Sequence, residues 1–165
     1  MSSTTETSPA ATGLALLRIT LGVIIAWTWF QNLSGDLYTA DGLEAYVAWL
    51  FSPDGNGSSL GFYQSILDAT LIPLSDVYVI VQLVVELLIG VGLVLGGFTR
   101  LCAVTATVFF FNLFLAYFGG HEWIWTYVLL SMSAVAVYLG NSGLKWGLDR
   151  QLRSQLGSTK LAKLL

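Results

Sequence analysis

Three observations predict an all-α membrane protein, an antiparallel four-helix transmembrane bundle with short interfacial helices in its external loop. Of the 165 residues, 55% are hydrophobic and only 10% charged, against about 25% charged in soluble domains, and mean hydropathy is +0.73. Residues 13–33, 77–96, 99–118 and 122–140 are mostly apolar, and each approaches the run of about 20 residues that crosses a hydrocarbon core about 30 Å thick. The cationic side chains all fall on one side of a chain threaded four times through a bilayer.

The first span follows a leader, Met1–Ala10, that carries Glu6 and no Lys or Arg. It runs into Trp27, Trp29 and Phe30, which are too bulky for a signal-peptide cleavage site, so it is read as retained. Residues 34–73 form the external loop. There Asp41 and Glu44 have the spacing of a capping box, and Leu43, Tyr46, Val47, Leu50 and Phe51 recur at helical spacing, which predicts a short helix on the outer surface. Residues 52–61, rich in Gly, Ser and Asn, read as a turn; Phe62, Tyr63, Ile66, Leu67 and Leu71 predict a second short helix before Pro73. Gly96-Gly97 closes the second span and Thr99-Arg100 opens the third, while Gly119-Gly120 separates the third from the fourth. Turns so short force antiparallel neighbours. Residues 141–165 form a tail whose 146–156 stretch sets Arg150 and Arg153 beside Trp146, Leu148 and Leu152, the pattern of a basic interfacial segment. With no internal repeat, residues 1–165 read as a single membrane domain.

Arg18, Arg100, Lys145, Arg150, Arg153, Lys160 and Lys163, all seven Lys and Arg, lie on one side of this arrangement. Asp36, Asp41, Glu44, Asp54, Asp68, Asp76 and Glu122 lie on the other. The positive-inside rule then predicts a multi-pass protein of the cell membrane with both termini cytoplasmic. The acidic external loop would suit a high-salt organism. No nucleic-acid partner is expected.

Cys102 is the only cysteine, which excludes an intrachain disulfide or thiol relay, including the Cys-x-x-Cys chemistry of vitamin K epoxide reductase. His121-Glu122 stands without a nearby Cys, and no metal site is expected. A charge in hydrocarbon costs about 2.5–3.5 kcal/mol and so demands a partner or a purpose. Glu86 is mid-span in the second helix, with Gln82 and Gly90 one turn to either side. Arg18 lies about 7 Å, and Glu86 about 15 Å, inside the cytoplasmic end at about 1.5 Å per residue, so an extended Arg18 side chain could bridge to the carboxylate. Gly22, Ile25 and Trp29 continue the Arg18 face; Thr105 and Asn112 belong to the third helix, and Tyr127, Ser131, Ala134 and Tyr138 form a stripe on the fourth. Turned inward, these faces predict a semi-polar interior centred near Glu86. Two readings stand open: a structural Arg18–Glu86 ion pair, or a carboxylate that accepts a proton or orients a ligand. Gly92-x-x-x-Gly96 has the spacing of close helix contacts, inside the bundle or in a homo-oligomer. The outer aromatics, Trp27, Trp29, Phe30, His121, Trp123, Trp125 and Tyr127, read either as a headgroup belt or as a mouth where a flat lipophilic ring such as a quinone enters, with His121-Glu122 handling a proton at its edge.

Leu17-Arg18-Ile19-Thr20-Leu21-Gly22, Glu86-Leu87-Leu88-Ile89-Gly90 leading through Gly96-Gly97-Phe98-Thr99-Arg100, and Gly140 through Gly147-Leu148-Asp149 together resemble the DoxX/DoxD family, over most of residues 14–150. The resemblance implies a four-helix membrane subunit. For the DoxD branch it implies the small subunit of thiosulfate:quinone oxidoreductase, which works with a second subunit. The chain departs from the family where the first helix ends, reading Trp27-Thr28-Trp29-Phe30-Gln31-Asn32-Leu33 in place of a Gly followed by Lys. Its acidic outer face would also repel the thiosulfate dianion, so a partner would have to bind the sulfur substrate. With no haem, flavin or iron–sulfur motif, the leading expectation is a non-autonomous, quinone-associated redox subunit. Arg18 and Glu86 would orient the head group and manage its proton, Gln82 and Asn112 would donate hydrogen bonds, and Trp29, His121, Trp125 and Tyr127 would line the approach. The rival expectation is a non-enzymatic scaffold within another membrane complex.

Overall fold

A computed structural model describes residues 8–156 of the chain; Lys160 and Lys163 lie outside the described residues. Its helices are α1 (Pro9–Ser34), α2 (Ala40–Phe51), α3 (Gly61–Thr70), α4 (Ser75–Leu95), α5 (Thr99–Ala116), α6 (Trp125–Leu139) and α7 (Asp149–Leu156). The long helices α1, α4, α5 and α6 run alternately up and down, as the short turns require. The start of α1, the α4–α5 turn and α7 meet at one end, the tail face; the end of α1, α2, α3 and the α5–α6 turn meet at the other, the loop face.

The spans follow the apolar runs with shifted ends. α1 starts four residues early because Ser8 caps it, its hydroxyl accepting the Ala11 N–H (3.1 Å), and Pro9 fits the first turn. α4 stops where Gly96 turns left-handed (φ 67°). α6 begins at Trp125 rather than Glu122, because His121 and Glu122 are bound into the loop-face cap described below. At 15 residues it rises only about 22 Å, so α1, α4 and α5 alone have full crossing length by themselves.

The bundle is built as two tight antiparallel pairs, α1 with α4 and α5 with α6, joined along looser seams. Glycine sets the first pair: a Cβ on Gly22 would lie 2.6 Å from the Val94 nitrogen, and one on Gly90 3.0 Å from the Ala26 nitrogen. Fully buried Ala103, Ala106 and Ala134 lie in the same core as Leu21, Ile25, Leu93 and Phe110. Gly92 is used within the chain, where its missing side chain makes room for Cys102. Val77, Ile80, Val84, Leu88, Val91 and Leu95 of α4 face outward; a continuous apolar surface of this kind belongs against lipid.

Both short helices of the external loop form, and they pack a second core of Leu43, Val47, Leu50, Tyr63, Leu67, Val79 and Ala116 over the loop face. The expected Asp41–Glu44 capping box does not. Thr39 caps α2, its hydroxyl accepting the Gly42 N–H (3.1 Å), and Glu44 instead accepts the Ser75 hydroxyl (3.2 Å). The turn between α2 and α3 is stitched to the α5–α6 turn by buried Asn56. Its carbonyl accepts the His121 N–H (2.8 Å), its side-chain oxygen accepts the Glu122 N–H (3.2 Å), and its amide donates to Ser58 (2.8 Å).

Candidate functional site

Glu86 projects from α4 into the bundle and is 1% exposed. The Tyr38 hydroxyl donates to its Oε2 (2.8 Å) and the Asn32 amide to its Oε1 (3.3 Å). Gln82, one turn earlier, also reaches the carboxylate. Trp29 fixes this corner: its indole N–H donates to the Leu83 carbonyl (2.9 Å), bolting α1 to α4, and its ring lies 6.5 Å from that of Tyr38.

The α4/α5 seam holds a cavity of about 280 Å³ whose polar wall is Tyr78, Gln82, Glu86, Thr105 and Asn112. Val81, Val85 and Val108 also line it and are exposed on the apolar outer surface, so the cavity opens sideways toward lipid. Its volume approaches the lower end of small-molecule sites, about 300 Å³, and suits one ring. Asn112 is anchored by Tyr63 of α3, whose hydroxyl donates to its side-chain oxygen. A second cavity of about 230 Å³, with Ile24, Thr28 and Asn32 of α1 and Tyr127 and Leu130 of α6 in its wall, is separated from the first by Gln82 and Phe109, which line both.

The expected site residues therefore divide. Glu86, Gln82 and Asn112 come together at the first cavity, Tyr127 belongs to the second, and Trp29 supports Tyr38. His121 donates its Nδ1–H to the Gly55 carbonyl (3.2 Å) in the loop-face cap, and Trp125 points outward at 61% exposure, outside both cavities.

The expected Arg18–Glu86 pair does not form. Fully buried Arg18 turns to the tail face, where Nη1 donates to the Ser142 carbonyl (3.3 Å) and Nη2 to the Trp146 carbonyl (3.1 Å). Trp146 sits at φ 54°, and the Ser142 carbonyl also accepts the Lys145 N–H (3.3 Å). The nearby anion is Asp149, which acts on Arg18 electrostatically and accepts the Thr99 N–H at Oδ2 (3.1 Å). Gly96 and Gly147 leave room for the guanidinium, and Gly143 for Asp149 and Thr99; a Cβ on any of the three would overlap these groups. The three stretches that carry the family resemblance thus meet in one buried polar cluster. Arg18 Nε, Thr99 Oγ1 and Asp149 Oδ1 have no hydrogen-bond partner among the described residues.

Asn32, Tyr38 and Tyr78 escaped the sequence reading. Asn32 was the most accessible of them, since one further step along the Arg18–Gly22–Ile25–Trp29 face reaches it. Tyr38 carries no sequence signal, because it lies in the connection after α1 and reaches Glu86 only through the tertiary fold.

Comparison with curated proteins and with solved structures finds no match. The family model DoxX matches residues 13–122, which include Arg18, the α4/α5 cavity and the whole loop-face cap. That match covers more than half the chain and fits the apolar bundle, and it assigns the protein to the DoxX family of membrane proteins.

Proposed function

We propose that this chain is the membrane subunit of a quinone-linked oxidoreductase, with its tail face in the cytoplasm, and that the α4/α5 cavity takes the head group of a quinone or quinol. The observation that carries this reading is a buried carboxylate flanked by two amides in a ring-sized cavity open to lipid. A quinone supplies two-electron, two-proton chemistry when bound. Around it, the Gln82 and Asn112 amides can donate to ring oxygens, and Glu86 can hold or release a proton at its carboxylate. Tyr38 and Asn32 fix the orientation of that carboxylate. Electrons would come through a second protein subunit. For an anionic sulfur substrate, that subunit would also supply the positive charge that the acidic loop face lacks.

Equilibrium binding of a quinol analogue to the full chain in lipid nanodiscs tests the proposal. Loss of a hydrogen bond to a charged group is worth about 1.5–3 kcal/mol, so Glu86→Gln should weaken binding on the order of tenfold to a hundredfold. Unchanged affinity in both Glu86→Gln and Gln82→Leu would refute the site. One observation favours the scaffold reading: both Glu86 oxygens already have donors from α1 and the connection after it. On that reading Glu86→Gln lowers stability or assembly with no quinone-dependent signal to lose.

A further inference from the structure

Beside the α4/α5 cavity, toward the loop face, lies a larger groove of about 450 Å³, bounded by α3, the turn Ile72–Leu74 and the first turns of α4. Val81 lines both spaces and is 53% exposed, so their mouths meet on the lipid-facing surface and one molecule can occupy the two together. Tyr78 and Asn112 stand at the same junction, in both walls. The chemistry changes across it. On the cavity side are Gln82, Glu86 and Thr105. On the groove side the wall is apolar apart from two hydroxyls, and both are already engaged: Tyr63 donates to Asn112, and Thr70 to the Ile66 carbonyl (2.7 Å). Leu67 is buried behind the groove, while Ile66, Leu74 and Val77 stand exposed along it. A polar ligand would lose its hydration there without replacement.

We propose that this groove holds the first units of the isoprenoid tail of a quinol whose ring lies at Glu86. The occupant follows from the order of the walls. Oxygens that form hydrogen bonds match the polar end, a methyl-branched hydrocarbon matches the apolar end, and a tailed quinol carries both in one molecule. Val77 precedes Glu86 by nine residues, about 14 Å of helix, so the tail runs toward the loop face and away from the outward residues Leu88 and Val91 of α4. Hydrocarbon gains little by exchanging lipid for an apolar wall. The groove contributes close packing around the branched tail and a fixed direction of entry, with the tail-bearing edge of the ring nearest Val81.

The inference rests on the proposed ring site, and separate probes for ring and tail let the two fail separately. A quinone with a diazirine on its second isoprene unit is photolysed with the protein in lipid nanodiscs, in parallel with a quinone that carries an azide on its ring. The tail probe should label residues 61–74, and excess tailless quinol, which fills the ring site alone, should suppress that labelling. Ile66→Trp, which fills the groove from its rim, should weaken a quinol with three isoprene units about tenfold, the scale on which overpacking one site acts. Affinity is referred to the mole fraction in lipid, which removes the contribution of partitioning, and the tailless quinol should bind Ile66→Trp unchanged. Tail labelling at Leu88 and Val91 while the ring probe marks the cavity would overturn the inference and leave the ring site standing. Labelling of residues 61–74 that tailless quinol does not suppress would also overturn it, because apolar chains would then fill the groove independently of the cavity. Unchanged affinity for the tailed quinol in Ile66→Trp, or equal weakening of both quinols, would do the same. The labelling uses the unaltered protein, so it decides the question even if Ile66→Trp fails to fold.

Discussion

Replacing Asp149 tests whether the tail-face cluster is a lock that holds α7 to the bundle. Asp149 and Arg18 are 1% and 0% exposed, so neither charge can fall back on water. Asp149→Ala removes the nearby anion from a buried guanidinium that it does not touch directly, so the cost should stay below about 3–5 kcal/mol, that of a direct buried pair broken from one side. The same change strips the acceptor from the Thr99 N–H at the start of α5; this loss concerns the same carboxylate and does not add in full. Asp149→Asn keeps an acceptor for Thr99 and should therefore cost less, by about 1.5–3 kcal/mol. Arg18→Met/Asp149→Leu should be less damaging than the sum of its single changes, with a coupling of about 0.5–3 kcal/mol. Unfolding by SDS titration in mixed micelles, followed by tryptophan fluorescence, gives the stability of each of these variants and of the single changes Arg18→Met and Asp149→Leu. The lock is refuted if Asp149→Ala shifts stability by less than about 0.5 kcal/mol, or if the double-mutant cycle closes additively.

The same assay checks the close approach of α1 and α4. Gly22→Ala sets a methyl group 2.6 Å from the Val94 backbone nitrogen and should destabilise by about 1–3 kcal/mol, whereas Gly13→Ala, with nothing within 4 Å, should be neutral or gain up to about 1 kcal/mol. On the loop face, burial pushes the Tyr63 hydroxyl up to about 12, from an ordinary value of about 10. The folded protein therefore holds this proton more tightly than the unfolded chain, and the contribution is complete below about pH 10 and lost as pH rises toward 12. Alkaline unfolding should show that loss in the parent and lack it in Tyr63→Phe.

Much of the bundle could be read from the chain itself, because lipid imposes one-dimensional rules. Apolar length marks the spans, and Gly96-Gly97 and Gly119-Gly120 mark the tight turns. Helix periodicity also brought Glu86, Gln82 and Asn112 toward one interior. The failures have a common physical origin. Axial depth placed Arg18 within reach of Glu86, but depth says nothing about which way a long side chain turns, and the carbonyls of Ser142 and Trp146 became available only after the tail folded back. Tyr38 and Asn56 lie in irregular connections without periodicity, and their partners are set by long-range packing. His121 looked functional beside an acidic residue and several tryptophans, yet it closes the loop-face cap.

Photolabelling with an azido-quinone tests the central claim most directly. Labelling of the full chain in nanodiscs, followed by peptide mapping, should mark residues 78–89 and 105–112, on the two walls of the α4/α5 cavity; excess unlabelled quinol should suppress it, and Glu86→Gln should diminish it. Labelling spread over outward residues such as Val91, Leu129 and Leu139, without competition, would contradict a quinone site at Glu86.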